Sequence, residues 1–122
     1  MAQKVLLVDD ASFMRMMLKN ILVGSGYEVA GEAENGAKAV EQYKALKPDL
    51  VMMDIIMPEM GGKECLRELL KIEPELKVVV ASGFSSDTSV DESAEWGAKA
   101  FVSKPFKIEE LLRQVRRILD ER

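Results

Sequence analysis

Histidine is absent from the 122 residues, and cysteine occurs once, as Cys65. The first absence excludes Ser-His-Asp and Cys-His nucleophile sites and argues against a typical zinc centre; the second excludes an internal disulfide. Cys65 lies in an apolar helical pattern, so it reads as a packed thiol rather than a reactive one. Any chemistry falls to carboxylates, hydroxyls and lysines. Long apolar runs are also missing, and the N-terminus opens on a strand pattern instead of a basic segment plus apolar core. That speaks against a membrane span or a signal peptide and for a cytoplasmic protein. Basic residues are not in excess: 17 Lys and Arg against 21 Asp and Glu give a net charge of −4, which disfavours direct binding to nucleic acid. No linker or low-complexity stretch interrupts the chain. With 48% hydrophobic and 31% charged residues, what remains is one compact domain over residues 1–122.

The stretch from Leu50 to Pro58 organises that domain: apolar residues up to Met53, the acid Asp54, then Ile55, Ile56 and Met57 before the proline. An apolar run without alternation suits a strand buried on both faces of a parallel sheet, with Asp54 where it emerges. Lys4 to Val8 is a similar strand, ending at Asp9-Asp10. The helix after it puts Met14, Met17, Leu18 and Ile21 on one face with Arg15 and Lys19 elsewhere, and Gly24-Ser25-Gly26 stops it. Glu28 to Ala33 alternates as an edge strand does. Asn35 caps a helix over Gly36 to Leu46, with Ala39, Val40, Tyr43 and Leu46 as its stripe.

Gly61-Gly62-Lys63 has a faint likeness to a phosphate loop, but Glu64 stands where Ser or Thr is required, and the segment reads as a turn. Cys65, Leu66, Leu69, Leu70 and Ile72 form the buried face of a third helix ended by Pro74. Lys77 to Ala81 is a fourth strand ending at Ser82-Gly83, and the acid-rich Ser85 to Trp96 is read as a helix. Ala100 to Ser103 makes the fifth strand, leading to Lys104-Pro105. A last helix turns Ile108, Leu111, Leu112, Val115, Ile118 and Leu119 inward, leaving Arg113, Arg116 and Arg117 to solvent or a partner. Strand and helix alternate five times. This predicts an α/β fold: a five-stranded parallel sheet of order 2-1-3-4-5 flanked by five helices, a flavodoxin-like (βα)5 architecture.

In that order ligands bind beyond the carboxyl ends of the strands, where Asp9, Asp10 and Asp54 meet. Singly, each residue there has a bland role as a cap or a solvated charge. Together, three acids, a hydroxyl from Ser82 and an ammonium from Lys104 point to one site. Three close carboxylates repel one another and call for a cation; oxygen donors alone favour magnesium. Magnesium and Lys104 would offset charge on a transferring phosphoryl group, leaving Asp54 to attack phosphorus in line.

At these residues the chain resembles the receiver domain of two-component response regulators, from Lys4 to the last helix. The pattern is an acidic pair, Asp9-Asp10; an acceptor, Asp54; a hydroxyl, Ser82; and Lys104-Pro105. The resemblance implies that Asp10, Asp54 and the Ile56 carbonyl hold magnesium, with Asp9 acting through water. It implies that Ser82 and Lys104 bind phosphoryl oxygens, that Ser82 and Phe101 form a conformational switch, and that no other cofactor is needed. Ile56, Gly83 and Phe84 stand at the approach to the phosphoryl group; the apolar Ile56 and Phe84 are expected to exclude water and lengthen the life of an aspartyl phosphate. The segment Asp9 to Arg15 resembles chemotaxis-type, single-domain members, so the expectation is a stand-alone receiver without an output domain.

The partners implied are a histidine kinase or phosphotransfer protein as donor and a downstream protein at the face of the acidic helix, the fifth strand and the last helix. That face also allows a phosphorylation-dependent dimer in which acids meet arginines. Two rivals remain. A magnesium-dependent phosphatase passing through an aspartyl phosphate, of the haloacid-dehalogenase kind, would carry a second Asp where Ile56 stands. A phosphate-independent binding module would not need the acid pair, acceptor and lysine together.

Overall fold

The strand runs form one parallel sheet in the order β2-β1-β3-β4-β5: β1 (Lys4–Val8), β2 (Glu28–Ala33), β3 (Leu50–Asp54), β4 (Val78–Ser82) and β5 (Ala100–Ser103). Between and after them lie α1 (Ser12–Gly24), α2 (Gly36–Leu46), α3 (Gly62–Ile72) and α4 (Ile108–Asp120). The computed structural model describes residues 3–54, 62–82, 97, 99–103 and 108–120. The helix expected over Ser85 to Trp96 lies outside the described residues. The strand order is the one expected from sequence.

The pleat divides each central strand between two cores. Leu6 and Val8, Val51 and Met53, and Val78 and Val80 pack with Cys65, Leu66 and Leu69 of α3 and Ala39 and Tyr43 of α2. Val5 and Leu7, Leu50 and Met52, and Val79 pack with Leu18 and Leu22 of α1 and Leu111, Val115 and Ile118 of α4. Alternate residues of a strand point to opposite faces, so an unbroken apolar run satisfies a layer on each side. β2 is the half-buried edge, with its register against β1 shifting between Val5 and Leu6 so that Leu6 meets Gly31. A Cβ at Gly31 would come within 2.6 Å of Leu46 Cδ1, so the glycine admits α2 close to the edge strand.

Helix ends follow local chemistry. Asn35 Oδ1 accepts from the Lys38 amide at 2.9 Å, the expected cap of α2. Lys47 at the other end takes a left-handed conformation, φ 46°, and its amide donates to the Tyr43 carbonyl. Three expectations are corrected. Ile72 and Ile108, expected inside, are 41% and 54% exposed, because each sits at the very end of its helix, where neighbouring turns cover one side only. Gly62 and Lys63, read as part of a turn, open α3 instead. Among the described residues no helix is long and apolar enough to cross a membrane.

Candidate functional site

Parallel strands in register bring their carboxyl ends to one edge. Val8, the last residue of β1, pairs with Ala33 of β2 on one side and Met53 of β3 on the other. The next residues are Asp9 and Asp54, so two acids leave at one level from adjacent strands, which in a sheet lie about 4.8 Å apart. Asp54 pairs with Ala81, which places Ser82 one step further on β4, and Ser82 pairs with Ser103 of β5. Phe101 pairs with Val80, two ladder positions short of Ser82. The structure therefore gathers Asp9, Asp10, Asp54 and Ser82 at one edge by backbone position. Ile56, Gly83, Phe84 and Lys104 lie outside the described residues.

The turn after β1 is held at several points. Asp9 is 2% exposed; its amide donates to the Ala33 carbonyl at 3.0 Å, extending the β1–β2 ladder by one rung. Its carboxylate Oδ1 accepts from the Ala11 amide at 2.9 Å, closing the turn into α1. Its carbonyl accepts from Arg15 Nη1, and Arg15 Nε donates to Glu32 Oε1 of β2 at 3.1 Å. Asp10, next in the chain, is exposed. Sequence reasoning put Arg15 off the apolar face of α1 and missed these contacts. The strand order carried the signal, because it sets Glu32, near the end of β2, beside the end of β1.

The donor chemistry fits a hard cation. Oxygen is what this edge offers, in carboxylates that water reaches at Asp10 and protein encloses at Asp9. The single thiol is elsewhere: Cys65 is buried in the α2–α3 core, its Sγ 3.6 Å from the Gly36 carbonyl. Burial first, and Glu68 second, push its pKa up to about 12, so it stays protonated and offers no thiolate ligand.

The arginines of α4 are engaged within the chain. Arg116 stands 5.5 Å from the Tyr27 ring centroid and donates to Gln3, Arg113 pairs with Glu110 at 2.9 Å, and Arg117 donates to Gln114.

Residues 5–116 match the response regulator receiver domain. Among curated relatives, the chemotaxis protein CheY of Thermotoga maritima is 55% identical over 107 residues, covering 88% of this chain and 89% of its own. That of Bacillus subtilis is 47% identical over 120 residues, covering 98% and 100%. Among solved structures, the CheX-CheY-BeF3-Mg+2 complex from Borrelia burgdorferi superposes with a TM-score of 0.92 at 30% identity, over 98% of this chain and 90% of that one. The response regulator domain of Thermotoga maritima CheB gives 0.90 at 34% identity, over 100% and 99%.

Proposed function

The chain belongs to the response regulator receiver family, and from that premise we propose that it is a phosphorylation-activated signalling switch with Asp54 as phosphoacceptor. The observation that carries the reading is the shared register of β1 and β3, which brings the Asp9-Asp10 pair to the strand end that presents Asp54. Relatives named chemotaxis protein CheY favour a chemotaxis-type pathway.

An Asp54 oxygen attacks phosphorus in line; the new P–O bond forms as the bond to the donor, a phosphohistidine of a partner kinase or phosphotransfer protein, breaks. Having no histidine, this chain is acceptor and not donor. Asp10, Asp54 and the Ile56 carbonyl would hold magnesium, with Asp9 acting through water; the ion, when bound, offsets charge on the phosphoryl oxygens. A solved CheY complex that contains Mg and BeF3 supports magnesium as the ion. Ser82 and Lys104 bind the phosphoryl oxygens. The pull on Ser82 is passed to Phe101, and the face of segment 85–96, β5 and α4 changes its affinity for a downstream protein or for a second copy.

Intact mass after incubation with acetyl phosphate tests this, for wild type and Asp54→Asn, each with magnesium and with chelator. The expected result is one labile phosphoryl group that requires both Asp54 and magnesium. No adduct and no turnover of donor would overturn the reading, and rapid turnover without an adduct would point to a phosphatase instead.

A further inference from the structure

We propose that Arg15 is a positioning residue: by clamping the Asp9 carbonyl against Glu32, it orients the acid pair and so sets the affinity of the site for magnesium. The inference rests on the receiver reading and adds to it a residue outside the proposed ligand set.

The Asp9 carbonyl belongs to the peptide that joins Asp9 to Asp10. A hydrogen bond from Arg15 Nη1 to that oxygen fixes the plane of the peptide, and with it the direction in which Asp10 leaves the turn. The Asp9 amide and carboxylate are already tied to Ala33 and Ala11. Among the described contacts of this turn, the Arg15 bond is made to the peptide that leads into Asp10.

The Arg15 side chain is itself anchored on β2, its Nε donating to Glu32 Oε1 at 3.1 Å. The side chain is 16% exposed, so it is held within the protein rather than trailing in solvent. One planar guanidinium reaches the carbonyl and the carboxylate together; a lysine, with a single terminal nitrogen, does not reproduce that fork.

Charge and geometry pull in opposite directions here, which makes the inference decidable. A cation beside the acid pair repels magnesium, so on charge alone a neutral residue at 15 would tighten binding. On positioning, losing the fork weakens binding whether or not the charge is kept.

The test is calorimetric titration of magnesium into the unphosphorylated full chain, for wild type, Arg15→Lys, Arg15→Gln, Glu32→Ala and Glu32→Gln. Arg15→Lys, Arg15→Gln and Glu32→Ala should each bind magnesium on the order of tenfold more weakly, the usual cost of removing an outer partner of a metal site. Glu32→Gln, whose amide oxygen still accepts from Nε, should stay close to wild type. Wild-type affinity in Arg15→Lys with tighter binding in Arg15→Gln would overturn the inference, leaving Arg15 as a charge alone. Unchanged affinity in every variant would overturn it as well, while leaving the receiver reading intact. A wild type that binds no magnesium would overturn both. Circular dichroism checks folding, and if the Arg15 variants unfold, the Glu32 pair decides.

Discussion

Val8 and Met53 sit opposite one another across the β1–β3 ladder, and the residue after each is an acid. In the proposed site, like charges at adjacent strand ends would repel one another without metal, and magnesium would bind the folded chain alone. Magnesium should therefore raise the melting temperature, by the equivalent of about 2.7 kcal/mol at a hundred times its Kd. Asp54→Asn should melt higher than wild type without metal and lose most of the magnesium response, in calorimetric scans with and without chelator.

The cap of α2 offers a check on local structure. Asn35→Ala should cost about 1 kcal/mol in urea unfolding, because the Lys38 amide loses its acceptor. Asn35→Asp, which keeps the acceptor, should lose much less.

Gly26 and Gly97 separate backbone strain from crowding. Both have positive φ, 95° and 100°, but a Cβ at Gly26 meets nothing within 4 Å, whereas one at Gly97 comes within 2.5 Å of Leu70 Cδ1. Gly26→Ala should cost about 1–2 kcal/mol, the left-handed penalty alone. Gly97→Ala should cost roughly 1 kcal/mol more as Leu70 is displaced. Equal losses in denaturant melts would contradict the crowding.

Cys65 gives a pH signature. Well below pH 9 the thiol is protonated in both states; as the pH rises through about 9 the unfolded chain loses its proton first, since the folded pKa is pushed up to about 12. Stability must then fall between those values, by at most about 1.4 kcal/mol per pH unit for one proton. Urea unfolding at pH 8 and pH 10 should show a steeper loss in wild type than in Cys65→Ala.

Ile56 and Phe84, read from sequence as an apolar screen, are proposed to lengthen the life of the aspartyl phosphate. Ile56→Asn and Phe84→Glu should each speed dephosphorylation several-fold in a chase after acetyl phosphate is removed. Unchanged rates would reduce both residues to packing.

The apolar runs revealed the sheet because a strand enclosed on both faces has nowhere to put a polar side chain until it emerges. Asp9 and Asp54 therefore marked the strand ends and, with them, the proposed site. Asn35 was legible for a similar reason, since its side chain competes with the backbone and suits a cap. Ile72 and Ile108 misled because periodicity reports phase and not length: a residue in the right phase is still exposed if it stands at the very end of the helix. Arg15 was missed because a long polar side chain leaves no periodic trace; what it reaches depends on which strand lies alongside. The shift at Gly31 was hidden because alternation along β2 says nothing about the spacing of its partner.

Val51, Met52, Met53, Val78, Val79 and Val80 are each at most 1% exposed, gripped by helices from above and below. Strands held in this way behave as a stiff bed, with little slack to absorb a push along their length. A phosphoryl group added at the edge would thus spend its effect sideways, among the connections that border the bed. A receiver built on this plan can exchange those connections for new partners while keeping the same bed beneath them.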